Sequence, residues 1–147
     1  MQATIRWSGA VRFEVETGSG AAITTDGPPE SGGTGAGARP MELVLAGAGA
    51  CASYDVVHIL RKGRHDVVDC VAALEAERAP EPPRVFTRIH MHFTVSGHGL
   101  KEAAVARAVA LSAEKYCSAS IMLARGGVQI THTHEVVPLP PRDGGAA

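Results

Sequence analysis

The 147-residue sequence predicts a single α+β domain in which antiparallel sheets surround one long buried helix. Three observations predict it. Val11 to Glu16 and Arg84 to Ser96 alternate apolar and polar residues, as half-buried strands do. Between them RPMELVLAGAGACASYDVVHILRK, Arg39 to Lys62, is apolar at helical spacing. A second helical stretch, Leu100 to Tyr116, turns Val105, Ala108, Val109 and Ser112 to one side.

In chain order, Ala3 to Arg6, Val11 to Glu16 and Ala21 to Thr25 form a small meander, with turns at GSG (Gly18 to Gly20) and DGPP (Asp26 to Pro29). Gly27 to Pro40 is a flexible Gly/Pro loop without the terminal GK[ST] of a phosphate loop. Pro40 suits a first helical position and Glu42 favours the helix dipole. Arg61 and Lys62 complement the far end, and Gly63 is the expected stop. Leu43, Gly47, Ala50, Tyr54 and Val57 make one stripe and Val44, Ala48 and Cys51 another, so the helix is expected to be buried nearly all round. Its small residues, Ala46 to Ala50, suit close approach of another backbone, such as a helix from a second subunit.

Val67 to Arg78 and Arg84 to Ser96 read as two long strands joined by APEPP, with Val85, Thr87, Ile89, Met91, Phe93 and Val95 on one face of the second. Gly97 to Gly99 ends it. CSASIMLA, from Cys117, opens a further helical turn after Leu100 to Tyr116, and Val128 to Val136 is the last strand. The domain is placed at residues 1–137, with 138–147 a disordered tail.

Composition narrows the function. A net charge of -1 with scattered Lys and Arg supplies no basic field for nucleic acid. The N-terminus lacks the apolar run of a signal peptide, and the Leu43 to Ser53 run is too short to span a membrane. The expectation is a cytoplasmic protein with neither nucleic acid nor membrane as partner. Three cysteines in a reducing compartment are then buried thiols, ligands or reactive groups.

Cys70, on the strand VVDCVAAL, is read as structural. Cys51 lies mid-helix and Cys117 at a helix junction. A helix N-terminus or a nearby cation favours a thiolate, so Cys117, after Lys115 and at a helix start, has local help. Cys51 has none: Asp55, four residues on, disfavours its thiolate, and activation must come from a distant residue such as Arg12 or Arg39. Spacing alone yields two candidate thiols and no motif joining them.

PMELVLAGAGACASYDVV resembles the cysteine helix of the OsmC/Ohr family, and SAEKYCSAS resembles its second cysteine segment. The element order fits too, up to about Val137, nearest to a less characterised subgroup with PME at the helix start. The resemblance implies an OsmC-like fold in an intertwined homodimer with active sites across the interface. It implies a thiol peroxidase acting on organic hydroperoxides in oxidative and osmotic stress defence. Cys51 would attack the O–O bond and become a sulfenic acid, and Cys117 would condense with it to a disulfide. A small dithiol of lipoyl type would reduce that disulfide. No metal, flavin or other cofactor is implied.

In the family's peroxidases a Glu directly follows the helix-opening proline and pairs with an N-terminal Arg. Here Met41 holds that position and Glu42 follows, about 100° around the helix. Arg12, Arg39 and Glu42 are therefore the candidates for holding the thiolate, with Met41 and Asp55 as pocket neighbours. The alternative reading is a non-catalytic dimeric binder of small apolar or thiol-reactive molecules, with the same pocket and unactivated cysteines. A third is a metal-binding dimer: His90 with His92, and His132 with His134, alternate along two strands and could present four imidazoles, although such pairs are usually hydrogen-bonded surface residues. His58 is read as a neighbour of the Cys51 pocket.

Overall fold

A computed structural model describes residues 1–140. The chain divides into two compact units, Met1–Ala46 and Gly47 onward, with the division inside a helix. It is α+β, with two three-stranded sheets.

The first unit holds strands β1 (Ala3–Gly9), β2 (Arg12–Thr17) and β3 (Ala22–Thr25), an antiparallel meander in sequential order. Ile5, Val15 and Ile23 lie in register, as do Trp7 and Phe13, so one face is apolar. Much of it is open to solvent, Trp7 being 68% and Ile5 58% exposed. The Gly/Pro loop is more ordered than its composition suggests, because Asp26 is its hub. Asp26 accepts hydrogen bonds from the backbone N–H of Thr34 (2.8 Å), Ala36 (3.1 Å) and Gly27 (2.8 Å) and from the Thr34 hydroxyl (3.0 Å). These bonds, the Thr34 N–H foremost, outweigh burial and hold its pKa down at about 2. Gly33 is required there, since a Cβ would sit 1.8 Å from the Gly27 carbonyl oxygen.

Helix α1 (Pro40–Lys62) begins as expected. Pro40 has no N–H to leave unsatisfied, and the Glu42 carboxylate accepts from the Arg39 N–H at 2.9 Å, half of a capping box. At the other end Arg64, not Gly63, takes the left-handed conformation (φ 61°). The expectation that α1 is buried nearly all round is corrected. Ala48, Gly49, Ala52, Val56 and Leu60 form the buried face, whereas Gly47, Ala50 and Tyr54 are exposed. One chain covers one side only. Gly49 serves a contact inside the chain, since a Cβ would lie 2.8 Å from Leu74, while one on Gly47 would meet nothing within 4 Å. The helix is also longer as an apolar unit than the Leu43 to Ser53 run: an 18-residue window reaches a mean hydropathy of 1.6, enough by length and composition to cross a membrane. Of that window, 28% is buried.

In the second unit β4 (Asp66–Arg78), β5 (Phe86–His98) and β6 (Gln129–Leu139) form a sheet in that order. β4 and β5 are antiparallel, but β5 and β6 are parallel, which corrects the all-antiparallel expectation. The reason is the connection: about thirty residues, most of them helical, separate β5 from β6, the crossover a parallel pair requires. β5 also departs from simple alternation. The register shifts where Glu77 pairs with Arg88 but Arg78 with Phe86, so Phe86 is buried in place of Thr87, and Val85 is exposed. Beyond it Ile89, Met91, Phe93 and Val95 point inward, and with Val56 and Leu60 of α1 and Val105 of the next helix they are fully buried. Each such side chain contributes about 1.5–3 kcal/mol.

Helix α2 (Glu102–Leu111) gives way to a π-helical segment, Ser112–Tyr116, and then to α3 (Ser118–Arg125). The single amphipathic helix expected over Leu100 to Tyr116 is thus split. β6 runs to Leu139, so Pro138 and Leu139 belong to a strand and not to the tail; residues 141–147 lie outside the described residues.

Candidate active site

The two cysteines read as chemically interesting come together, although they stand 66 positions apart in the chain. α1 presents Cys51 and, one turn later, Asp55 on the same side. The π-helical segment brings Cys117: its N–H bonds the Ser112 carbonyl five residues back (2.9 Å). That wider turn breaks the register of α2 and lets the chain restart, with Cys117 in extended conformation as the N-cap of α3. The Ser112 hydroxyl donates to the Ala52 carbonyl (3.2 Å), tying this segment to α1 beside the cysteine. Both sulfurs and one Asp55 carboxylate oxygen lie within 4.8 Å of one another. Both thiols are free.

Their environments differ in a useful direction. Burial alone pushes the Cys51 thiol up. Hydrogen bonds from the Ala119 backbone N–H, the Cys117 thiol and the Ser118 hydroxyl (Oγ 3.8 Å from the sulfur) outweigh burial and the adverse charge of Asp55, so its pKa falls below the ordinary cysteine value. Cys117 is 0% exposed, and burial pushes its pKa up. The Cys117 thiol donates to the Ser120 hydroxyl oxygen (3.1 Å) and accepts from the Ser120 N–H (3.4 Å); Ser120 opposes the rise without overcoming it, and Cys51 adds to it. Cys51 is therefore the more acidic and more accessible thiol, and Cys117 the reserved, protonated one.

This reverses the expectation that Cys117 alone has a helix to lower its pKa. α3 directs its first turn, Ser118 and Ala119, at Cys51. The residues that sequence reading missed are Ser118 and Ala119, adjacent to Cys117 in the chain. The signal was there: a helix that starts at Cys117 offers its next N–H groups to whatever faces Cys117.

Burial also raises the Asp55 pKa, against the pull of His58 and the Ser112 hydroxyl. Asp55 Oδ2 is buried without a hydrogen bond. His58 stacks on Tyr54 (5.7 Å between ring centres) along the exposed side of α1. In the first unit Arg12 donates to the Thr34 hydroxyl at 2.6 Å and so joins the Asp26 network, its buried Nε making no hydrogen bond. Arg39 and Glu42 are joined at the start of α1, with Met41 between them and partly exposed. Cys70 is raised by burial and then by Asp69, as a structural thiol would be.

The four-imidazole reading is contradicted by the sheet. His90 and His92 lie on its outer face, bonded to Thr131 and Thr133 at 2.7–2.9 Å, whereas His132 and His134 turn to the inner face. His134 meets Glu102 of α2 at 2.7 Å. Parallel pairing sets each threonine opposite a β5 histidine, so the two histidine pairs cannot converge.

Compared with known proteins, residues 33–133 match the family model described as OsmC-like protein. Protein YhfA of Escherichia coli (strain K12) is 53% identical over 137 residues, covering 93% of this chain and 98% of that protein. One solved structure shares 50% identity at a TM-score of 0.85, over 95% of this chain and 100% of the other. An organic hydroperoxide resistance protein OsmC from Legionella pneumophila, also described as a predicted redox protein, shares the fold at 24% identity and a TM-score of 0.70, over 92% and 96% of the two chains.

Proposed function

The chain belongs to the OsmC-like family, and from that premise we propose that it is a thiol-dependent peroxidase reducing organic hydroperoxides through Cys51 and Cys117. The observation that carries the reading is the pairing of an acidic, accessible Cys51 with a buried, protonated Cys117 at one helix N-terminus. The hydroperoxide resistance name of the Legionella pneumophila relative supports the substrate class.

The thiolate of Cys51 attacks the peroxide oxygen remote from the organic group. The O–O bond breaks, the leaving alkoxide takes a proton from solvent, and the products are an alcohol and a Cys51 sulfenic acid. The Cys117 sulfur then attacks the sulfenic sulfur; its proton leaves with the hydroxyl as water, and the two cysteines become a disulfide. A small dithiol of lipoyl type returns both thiols by exchange and is itself oxidised to a disulfide. The α3 N-terminus serves the first step by stabilising the attacking anion, a role filled elsewhere by a cation. The raised pKa of Cys117 keeps its proton available to Cys51 until the sulfenic acid forms.

The chain acts as a homodimer in this reading. The exposed apolar face of β1 to β3 and the open Gly47, Ala50 and Tyr54 side of α1 are surfaces a second copy would cover. Cumene hydroperoxide consumption with dihydrolipoamide as reductant tests the reading. Wild type turns over; Cys51→Ser falls to background. A Cys51→Ser chain that still consumes the peroxide refutes it.

A further inference from the structure

We propose that Cys51, Cys117 and Asp55 form a chelating site for a thiophilic divalent cation of the zinc class, and that such an ion holds the thiol pair in an inactive state. The binding stands on geometry alone; the inactivation rests on the peroxidase reading above.

Three potential ligand atoms from two helical segments converge within 4.8 Å. A tetrahedral zinc ion with S and O ligands needs them about 3.6–3.8 Å apart, so the cluster closes on an ion by a movement of about 1 Å. The carboxylate is suited to the part: Asp55 Oδ2 is buried and accepts no hydrogen bond, the nearby Ser112 hydroxyl being turned to the Ala52 carbonyl. Asp55 sits one turn from Cys51 on a continuous helix, and Cys117 is anchored as the α3 N-cap, so the three are held from rigid elements.

The donor set defines the ion. Two sulfurs select zinc, cadmium or a similar soft cation and disfavour magnesium and calcium, which take oxygen ligands. Three protein ligands leave a fourth position, and the partial exposure of Cys51 lets water fill it and the ion enter. On coordination each thiol still protonated gives its proton to solvent, and two thiolates and a carboxylate surround the dication. With both sulfurs bound, neither attack on a peroxide nor disulfide closure can proceed.

The test uses the reduced, untagged chain, titrated with Cd2+ while the ultraviolet sulfur-to-metal absorption is followed, and with Zn2+ by calorimetry. One ion per chain is expected. Asp55→Asn weakens binding about 10–100-fold; Cys51→Ser and Cys117→Ser weaken it further and diminish the absorption; Cys70→Ser matches wild type. In the unaltered chain, Zn2+ protects Cys51 from iodoacetamide while Cys70 keeps reacting, a readout that requires no variant to fold. Less than stoichiometric binding, wild-type affinity in Asp55→Asn, or absorption undiminished in Cys51→Ser overturns the site. Peroxide turnover is measured separately, metal-free and then with Zn2+ followed by chelator. Turnover without metal binding sinks this inference and leaves the peroxidase reading intact; metal binding without metal-free turnover does the reverse. Turnover undiminished by bound Zn2+ overturns the inactivation.

Discussion

Ser118→Ala isolates one of the groups that make Cys51 acidic. The substitution deletes a hydroxyl 3.8 Å from the Cys51 sulfur and keeps a good helix former in the first turn of α3. Hydrogen bonds to a charged group contribute about 1.5–3 kcal/mol. This contact is long and the sulfur partly exposed, so about 1 kcal/mol is the appropriate discount. Losing a group that stabilises the anion raises the thiol pKa. Below its midpoint the thiolate fraction then falls about fivefold, since 1.4 kcal/mol is a factor of ten. The assay is the pH profile of Cys51 alkylation by iodoacetamide, read peptide by peptide by mass spectrometry so that Cys70 and Cys117 are counted apart. The variant's profile moves to higher pH, about fivefold slower on the acid side, and converges with wild type on the alkaline side. A profile superimposable on wild type refutes the claim that the Ser118 hydroxyl helps to activate Cys51.

Asp55→Asn acts in the opposite sense: it removes a like charge that raises the Cys51 pKa, so acid-side alkylation accelerates, by a smaller factor than Ser118→Ala slows it. Glu42→Ala removes the acceptor for the Arg39 N–H and lowers stability by about 0.5–1 kcal/mol in denaturant titration, leaving the Cys51 profile unchanged; a shifted profile would return the thiolate-holding role to the helix start. Gly49→Val drives a branched side chain against the end of Leu74, which even a Cβ would approach to 2.8 Å and which must turn aside, and costs about 1–3 kcal/mol, read as a lower Tm. Asp26 has a depressed pKa, so its contribution to stability is complete above the ordinary carboxylate value of 3.8 and is lost as pH falls through about 2. Acid titration of Asp26→Asn, less stable at neutral pH, therefore shows a shallower loss across that window.

The fold was largely legible because its strongest signals are local. Period-two alternation in β2, Pro40 with Glu42 at a helix start, and the charged end at Arg61 and Lys62 each record a short-range requirement that one sequence can display. What failed was non-local. Parallel pairing of β5 with β6 depends on the crossover path, and the displacement of Thr87 by Phe86 depends on a register shift against β4. The exposed side of α1 looked buried because composition does not say which surfaces one chain can cover. At the site, the two thiols that stand out in the sequence are the two that lie together in the fold, but the source of acidity is not legible there. It lies in the direction of the α3 N–H groups, set by a π-helical turn that leaves no composition signature in SAEKY. Asp55 lies beside Cys51 because i,i+4 spacing on a helix is a local fact.

Whether Cys51 and Cys117 act as one redox unit is tested most directly by treating the reduced chain with one equivalent of cumene hydroperoxide and mapping its cysteines. The account predicts a chain lighter by two hydrogens, carrying a Cys51–Cys117 disulfide with Cys70 still alkylatable. A Cys51 that stays reduced, or that oxidises onward while Cys117 remains a thiol, would contradict it.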